Sequence, residues 1–357
     1  MIKRETFFHF LQPQHLYTAA ILFAAVSFIL ICLVYLYLYI KKRNFRTIDR
    51  INGVINTWIG TILMEKELPE IVITEEIAQY LKKKKNREFV IDNLIRIRKN
   101  ITGAAAKSIV DLYNHLDLKK DSIARFHSIV WHEKAKGIYE LYMMNGEEYL
   151  PDIYKYTNSS NEYVRMEAQT AIVGFWGFAG LTFLDTLEYP LHEWQQLKLL
   201  EQLSILDMVN MDHLALWLRS NNKYVVLFAL KLSDIYRQMD VHDIVVTCLQ
   251  SNDPKIRFQA IKTLARIDND TTANVLMAQY AGETFDNKKN ILLQLKIIGD
   301  AHCIPFLEKA LWEEDHFLKL KAATALAKIA GSADILDKYR ADETLASIAR
   351  QVQYELR

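Results

Sequence analysis

One short unit recurs in this chain, and its recurrence restricts the possible folds more than any other feature. Residues 253–267 read DPKIRFQAIKTLARI, and 62 residues later residues 315–329 read DHFLKLKAATALAKI. In both copies an acid opens the unit, Arg257 or Lys319 stands four residues on, and Ala260 or Ala322 follows. Leu264 with Ile267, or Leu326 with Ile329, then closes one apolar helical face. Halving the interval gives a period of 31, and steps of that length land on two further copies. In residues 284–298 the closing places hold Leu295 and Ile298, with Gly299 next, and in residues 222–232 the opening places hold Tyr224, Val225 and Ala229. A fixed period between 20 and 50 residues marks supersecondary units stacked in one dimension.

Extending the period upstream predicts a first helix over 148–156, a turn over 158–161 and a second helix over 164–173. There, allowing one position of drift in the period, Asn161, Val164, Arg165, Ala168 and Ile172 take the places of Asp253, Ile256, Arg257, Ala260 and Leu264. Units therefore open near 161, 192, 222, 253, 284 and 315; the one at His192 keeps the apolar phase but lacks the opening acid and the Arg. Burying one Leu or Ile contributes about 1.5 to 3 kcal/mol, so a helix pair with one wet apolar face is stable only when its neighbours cover it. Ala168, Ala229, Ala260 and Ala322 recur where second helices would approach each other closely.

These residues resemble the HEAT-repeat family in its short form, whose second helix follows D-x-x-V-R-x-x-A-x-x-A-L-x-x-I. The resemblance covers roughly residues 146–340 and is closest at 161, 253 and 315. An anchor placed ahead of such repeats is also similar to a group of bacterial membrane-anchored HEAT-repeat proteins. The resemblance implies an all-α, right-handed α-solenoid of antiparallel helix pairs used as a binding surface, and it implies no reaction.

Composition agrees with helix. Gly 11 and Pro 6 in 357 residues are well below ordinary usage, while a hydrophobic share of 51% supplies a large core. Cys32, Cys248 and Cys303 are far apart and in no metal-binding or disulfide-framework spacing.

Residues 16–40, LYTAAILFAAVSFILICLVYLYLYI, carry no charge. At about 1.5 Å per residue they cover the roughly 30 Å hydrocarbon core, which predicts a transmembrane helix. Tyr35, Tyr37 and Tyr39 gather at its end, where headgroups would lie. Lys3 and Arg4 precede it against Glu5, whereas Lys41, Lys42, Arg43, Arg46 and Arg50 follow it against Asp49. Positive-inside counting then predicts a single-pass inner-membrane protein with residues 1–15 outside and the repeats in the cytoplasm. A cleaved signal peptide would have a shorter apolar region and a small-residue cleavage site, where IKKRNFR follows here.

Residues 41–87 are expected to form a basic juxtamembrane helical region, residues 88–146 worn helical pairs, and residues 147–357 the array. Ile48, Ile51, Val54, Ile55, Trp58 and Ile62 keep a helical apolar pattern that fits either a helix lying on the membrane or the first helix of the soluble part. Residues 89–99 and 103–116 read as a helix pair, and residues 120–142 continue it with Ile123, Phe126, Ile129 and Val130 on one face. Residues 41–126 hold 18 Lys/Arg against 11 Asp/Glu, and residues 127–357 hold 24 against 31, so the two stretches carry +7 and −7. The run at residues 82–85, KKKK, reads as a solvated helix face or a lipid-headgroup contact, and nucleic acid is not expected.

Few residues point to chemistry. His127, His132 and Glu133 do not reach one helical face as H-E-x-x-H would, so no metal is expected. Arg165, Arg257 and Lys319, each four residues after Asn161, Asp253 or Asp315, could form a basic ladder for an acidic ligand, but they are expected to cap and bridge the second helix within or between units. In GFWGFAG, residues 174–180, Gly should end a helix. Exposed aromatics favour interfaces, so Trp176 and Phe178, with Trp194 and Gln195 from YPLHEWQQ, are the candidate partner-binding residues. No catalytic, cofactor or metal residue stands out. The reading is a membrane-anchored scaffold for a protein partner, such as a membrane enzyme or transport assembly, envelope glycosyltransferases included. The alternative is a HEAT-repeat enzyme like the bilin lyases, or its accessory subunit.

Overall fold

The computed structural model describes residues 13–65, 73–204, 211–339 and 341–355, and among them every regular element is helical. The chain divides into two compact units, Met1–Asp121 and Ser122–Arg357.

In the first unit α1 (Pro13–Glu65) is followed by α2 (Glu75–Leu81), α3 (Lys84–Arg98) and α4 (Gly103–His115). Within α1, the most apolar 18-residue stretch of Tyr17–Lys42 has a mean hydropathy of 2.8 and none of it is buried, so this segment is long and apolar enough to cross a membrane. The helix does not stop there. The same α1 runs on through Ile51 and Ile55, which are buried one turn apart, and packs on α4. Residues 46–64 thus belong to the same helix as the apolar stretch, and Ile51 and Ile55 bring it into the unit's core.

The second unit is a succession of helix pairs. The unit boundary falls inside α5 (Lys119–Phe126), which is followed by α6 (Trp131–Met143), α7 (Leu150–Tyr154), α8 (Glu162–Trp176) and α9 (Glu193–Leu203). Then come α10 (Leu214–Trp217), α11 (Lys223–Ile235), α12 (His242–Cys248), α13 (Pro254–Leu264) and α14 (Thr272–Gln279). The chain closes with α15 (Phe285–Ile298), α16 (Ile304–Ala310), α17 (His316–Ala330) and α18 (Glu343–Glu355). Second helices meet in order, with α6 on α8, α8 on α9, α11 on α13, α13 on α15, α15 on α17 and α17 on α18.

The opening position of the repeat is a helix N-cap. Asn161 Oδ1 accepts from Val164 N at 3.2 Å, Asn222 Oδ1 from Tyr224 N at 3.0 Å, and Asp253 Oδ1 from Lys255 N at 2.9 Å. Thr284 and Asp315 cap α15 and α17 in the same way, and His192, which broke the pattern, makes no side-chain cap. A cap of this kind is worth about 1 kcal/mol. The four repeat alanines Ala168, Ala229, Ala260 and Ala322 are all 0% exposed, as the register requires. Ala260→Leu should therefore overpack α13 against its neighbours and cost about 1 to 3 kcal/mol. Denaturant unfolding checks this, and an unchanged midpoint would refute the assigned register.

Two expectations need correction. Ile129 and Val130 do not share a face with Ile123 and Phe126: α5 ends at Phe126 and α6 starts at Trp131, leaving Ile129 98% and Val130 42% exposed in the turn instead of on an apolar face. The apolar residues there continue a helical spacing by coincidence, while Ser128 Oγ takes the Val130 N–H and supports the turn. The array also has one more second helix than the six counted. Asp342 Oδ1 accepts from Leu345 N at 3.0 Å and opens α18, whose Leu345, Ile348, Ala349 and Val352 are buried.

Candidate functional site

A groove of about 1120 Å³ lies across the N-terminal ends of α9, α11, α13 and α15 in the second unit. Leu191, Leu227, Phe258 and Leu293 are its large apolar lining residues. Phe258 is 41% exposed, and Trp194, 65% exposed, stands on the first turn of α9 between the lining residues Glu193 and Gln196. Lys223, Lys231, Lys255 and Lys289 share the walls with Glu193, Asp253 and Asp286. Lys223 reaches Asp253 at 3.5 Å, bridging two successive units.

Side chains bonded to backbone carbonyls hold these helices in phase. Thr263 Oγ1 on α13 donates to Leu230 O on α11 at 3.0 Å, and Asn290 Nδ2 on α15 donates to Phe258 O at 2.9 Å. Gln195 Nε2 on α9 donates to Met166 O and to Gln169 Oε1 at 3.2 and 3.3 Å. Gln196, 2% exposed, donates to Leu191 O at 2.9 Å, and its Oε1 accepts no hydrogen bond.

Arg165 and Arg257 serve the turns. Arg165 Nη1 donates to Ser159 O at 2.6 Å, and the guanidinium lies 4.7 Å from the Tyr189 ring. Arg257 Nη1 donates to Ser251 O at 2.7 Å, the same distance back along the chain, and its Nε donates to Glu283 Oε1 at 2.7 Å. Ser159, Ser220 and Ser251 each accept the N–H of the capping residue two places on, a serine signal legible in the sequence.

Glu283 is the hub between the units that carry α13 and α15. Its side chain is fully buried and accepts from Arg257, from Gln279 Nε2 at 2.7 Å and from Asn287 Nδ2 at 2.7 Å. Burial pushes this carboxyl up, but the hydrogen bonds from Arg257, Gln279 and Asn287, with the Arg257 charge, outweigh it and hold it below the usual carboxylate range. A carboxyl depressed in the fold adds stability above its unfolded value and loses it as pH falls through the folded one. Unfolding midpoints measured down a pH series should accordingly fall in acid, and Glu283→Gln should flatten that fall. An equally steep fall in the variant would remove Glu283 from the account.

The four candidate residues do not form one site. Trp176 and Trp194 reach the surface, but Phe178 is 7% exposed and stacked edge-on against Tyr236, and Gln195 is 2% exposed. The Gln195 bonds set Trp194 level with the first turns of α8, whereas Trp176 closes its last turn, roughly 15 Å further along. Phe258 was not singled out; its place five residues after the Asp253 cap, facing outward on the second helix, was the available signal.

Other groupings offer little to a substrate. His242 Nε2 lies 2.9 Å from Thr272 Oγ1 and its Nδ1 3.1 Å from Asp243 Oδ1, yet Thr272 is 0% exposed. Burial pushes the Cys248 thiol up to about 11, which keeps it protonated and unreactive at neutral pH. Among the described residues no three His, Cys, Asp or Glu side chains are grouped to hold a metal ion.

No family model matches the sequence, and no curated protein matches it. Several solved structures are similar. YibA of E. coli shares 15% identity at a TM-score of 0.44, covering 74% of this chain and 100% of its own. An engineered protein shares 16% at 0.38, covering 79% and 88%. Human deoxyhypusine hydroxylase in complex with glycerol shares 14% at 0.30, covering 69% and 98%. Likeness this low leaves the functional reading to the residues of this chain.

Proposed function

We propose that this chain is a membrane-anchored scaffold whose helix pairs form a HEAT-type, right-handed solenoid. In this reading Tyr17–Lys42 crosses the cytoplasmic membrane with the N-terminus outside, and the repeats bind a protein partner in the cytoplasm. The partner class is a membrane enzyme or transport assembly, of which envelope glycosyltransferases are one kind. The observation that carries the reading is the groove itself, where Leu191, Leu227, Leu293 and an exposed Phe258 lie among charged residues drawn from four successive units, with the exposed Trp194 next to the lining residue Glu193. Exposed aromatics set among polar groups are enriched at protein interfaces. Tethering supports it further, because a shared membrane raises the effective concentration of the two proteins and lets modest contacts suffice.

A photo-crosslinking residue placed at Phe258 or at Trp194 in native membranes tests this. Both positions should give an adduct with the same membrane-associated protein, and the exposed Met239, outside the groove lining, should not. No adduct at either groove position, or the same adduct at Met239, overturns the proposal. A reporter fused after Arg357 should be active in the cytoplasm; activity confined to the other side would reverse the topology.

A further inference from the structure

We infer that the corner between α2 and α3 is a docking surface for anionic lipid, a second attachment of the first unit to the membrane. The inference rests on the reading of α1 as an anchor. Lys82, Lys83, Lys84 and Lys85 are all exposed, and no acid stands between Glu76 and Glu88. A solvated charged face usually interleaves both signs, and this one does not. Among the described residues none of the four lysines has an acidic partner, whereas the neighbouring acids are taken: Asp121 by Arg87 and Asp117 by Lys120.

The backbone adds positive charge at the same place. The chain breaks between α2 and α3, so Lys83 becomes the N-cap of a 15-residue helix, makes no side-chain cap, and is followed by lysines in the first turn. Cations there oppose the helix dipole, where the array caps its helices with Asn, Asp or Thr. A small recess of about 480 Å³ beside the corner is lined by Lys82, Lys84, Arg87 and Lys120, with one acid, Asp121, which Arg87 pairs. These cations would all gain from a plane of phosphates.

A lipid surface, not another anion, is the occupant favoured by position. The unit bearing this corner is continuous with the apolar stretch, and its buried contact at Ile51 begins nine residues past Lys42, roughly 14 Å along α1. Residues 41–126 carry a +7 balance while residues 127–357 carry −7, so attraction to an anionic leaflet is confined to the membrane-proximal part.

The test uses the full chain in nanodiscs of phosphatidylcholine, alone or mixed with phosphatidylglycerol, at low salt. Lysines are acylated with a membrane-impermeant reagent and read by mass spectrometry. Labelling of Lys82, Lys83, Lys84, Lys85 and Lys120 should slow several-fold in the anionic discs and recover in high salt, while Lys328 in the second unit keeps one rate throughout. In a variant combining Lys82→Gln, Lys83→Gln, Lys84→Gln and Lys85→Gln, the protection of Lys120 should be lost. Entry into both discs with equal labelling overturns the docking alone, as does protection that appears only when a nucleic acid or an acidic protein is added. Failure to enter either disc overturns the anchor, and the docking with it.

Discussion

Arg125→Met is expected to destabilise the second unit by about 3 to 5 kcal/mol, lowering Tm by roughly 10 °C. Arg125 and Glu140 bring α5 against α6 with side chains 2% and 0% exposed, Arg125 Nη1 donating to both carboxylate oxygens at 2.9 and 2.8 Å. Ser122 Oγ donates to the same carboxylate at 2.6 Å, and Lys136 lies 3.8 Å away. Burial pushes the Glu140 carboxyl up, and the Ser122 hydrogen bond, the Arg125 charge and hydrogen bond, and Lys136 pull it part of the way back. Without Arg125 its charge and hydrogen bond are lost while the Ser122 hydrogen bond and Lys136 remain, so the carboxyl must either stay charged with less support in a buried place or take up a proton.

The pH dependence separates this from a packing defect. A carboxyl raised in the fold favours folding below its unfolded value, near 4.5, and that advantage is lost as pH rises through the folded value. The deficit of Arg125→Met should therefore be smallest in acid and grow towards neutral pH, opposite in sense to the Glu283 effect. Combining it with Glu140→Leu should recover most of the loss, since an apolar pair of similar volume is often as stable as the buried ion pair it replaces. Urea unfolding at two pH values reads both; a deficit independent of pH, or a double variant no better than the single, would contradict the account.

Gly137→Ala is the second large effect, and it runs against helix propensity. Alanine is about 1 kcal/mol better than glycine inside a helix, and Gly137 lies in the middle of α6. A Cβ there would stand 2.3 Å from Phe126 N and 2.8 Å from both Arg125 C and Phe126 Cα. All three are backbone atoms, so no rotamer change relieves the contact and α5 must move. The expected net loss is about 2 to 3 kcal/mol. Gly53→Ala and Gly60→Ala in α1 are the controls: a Cβ meets nothing within 4 Å at either, and stability should hold or rise slightly. Thermal unfolding of the three variants decides it, and a gain at Gly137 equal to the controls would sink the close-crossing argument.

What could be read beforehand followed the repeat. Stepping by 31 from Asp253 located the caps, the bracing arginines and the four buried alanines, because those roles depend on local backbone geometry that returns in every unit. The same stepping missed α18, since Asp342 follows Asp315 by only 27 residues. Gly137 carried a readable signal, a glycine inside a helical pattern, but nothing local says which backbone comes close. The groove was harder. Its lining draws on four units, and whether Trp194 or Gln195 faces outward depends on which side of α9 its neighbours cover, a matter of tertiary contact and not of residue type.

The unbroken course of α1 has a mechanical meaning. Because the apolar stretch and the part that packs on α4 belong to one helix, the packed part is keyed to the apolar stretch in both height and bearing. Adding a single residue between Lys42 and Ile51 would lift the packed part by about 1.5 Å and turn it by about 100°. The intervening turns thus act as a screw thread, and the azimuth of the packed part about the apolar stretch is set by residue count.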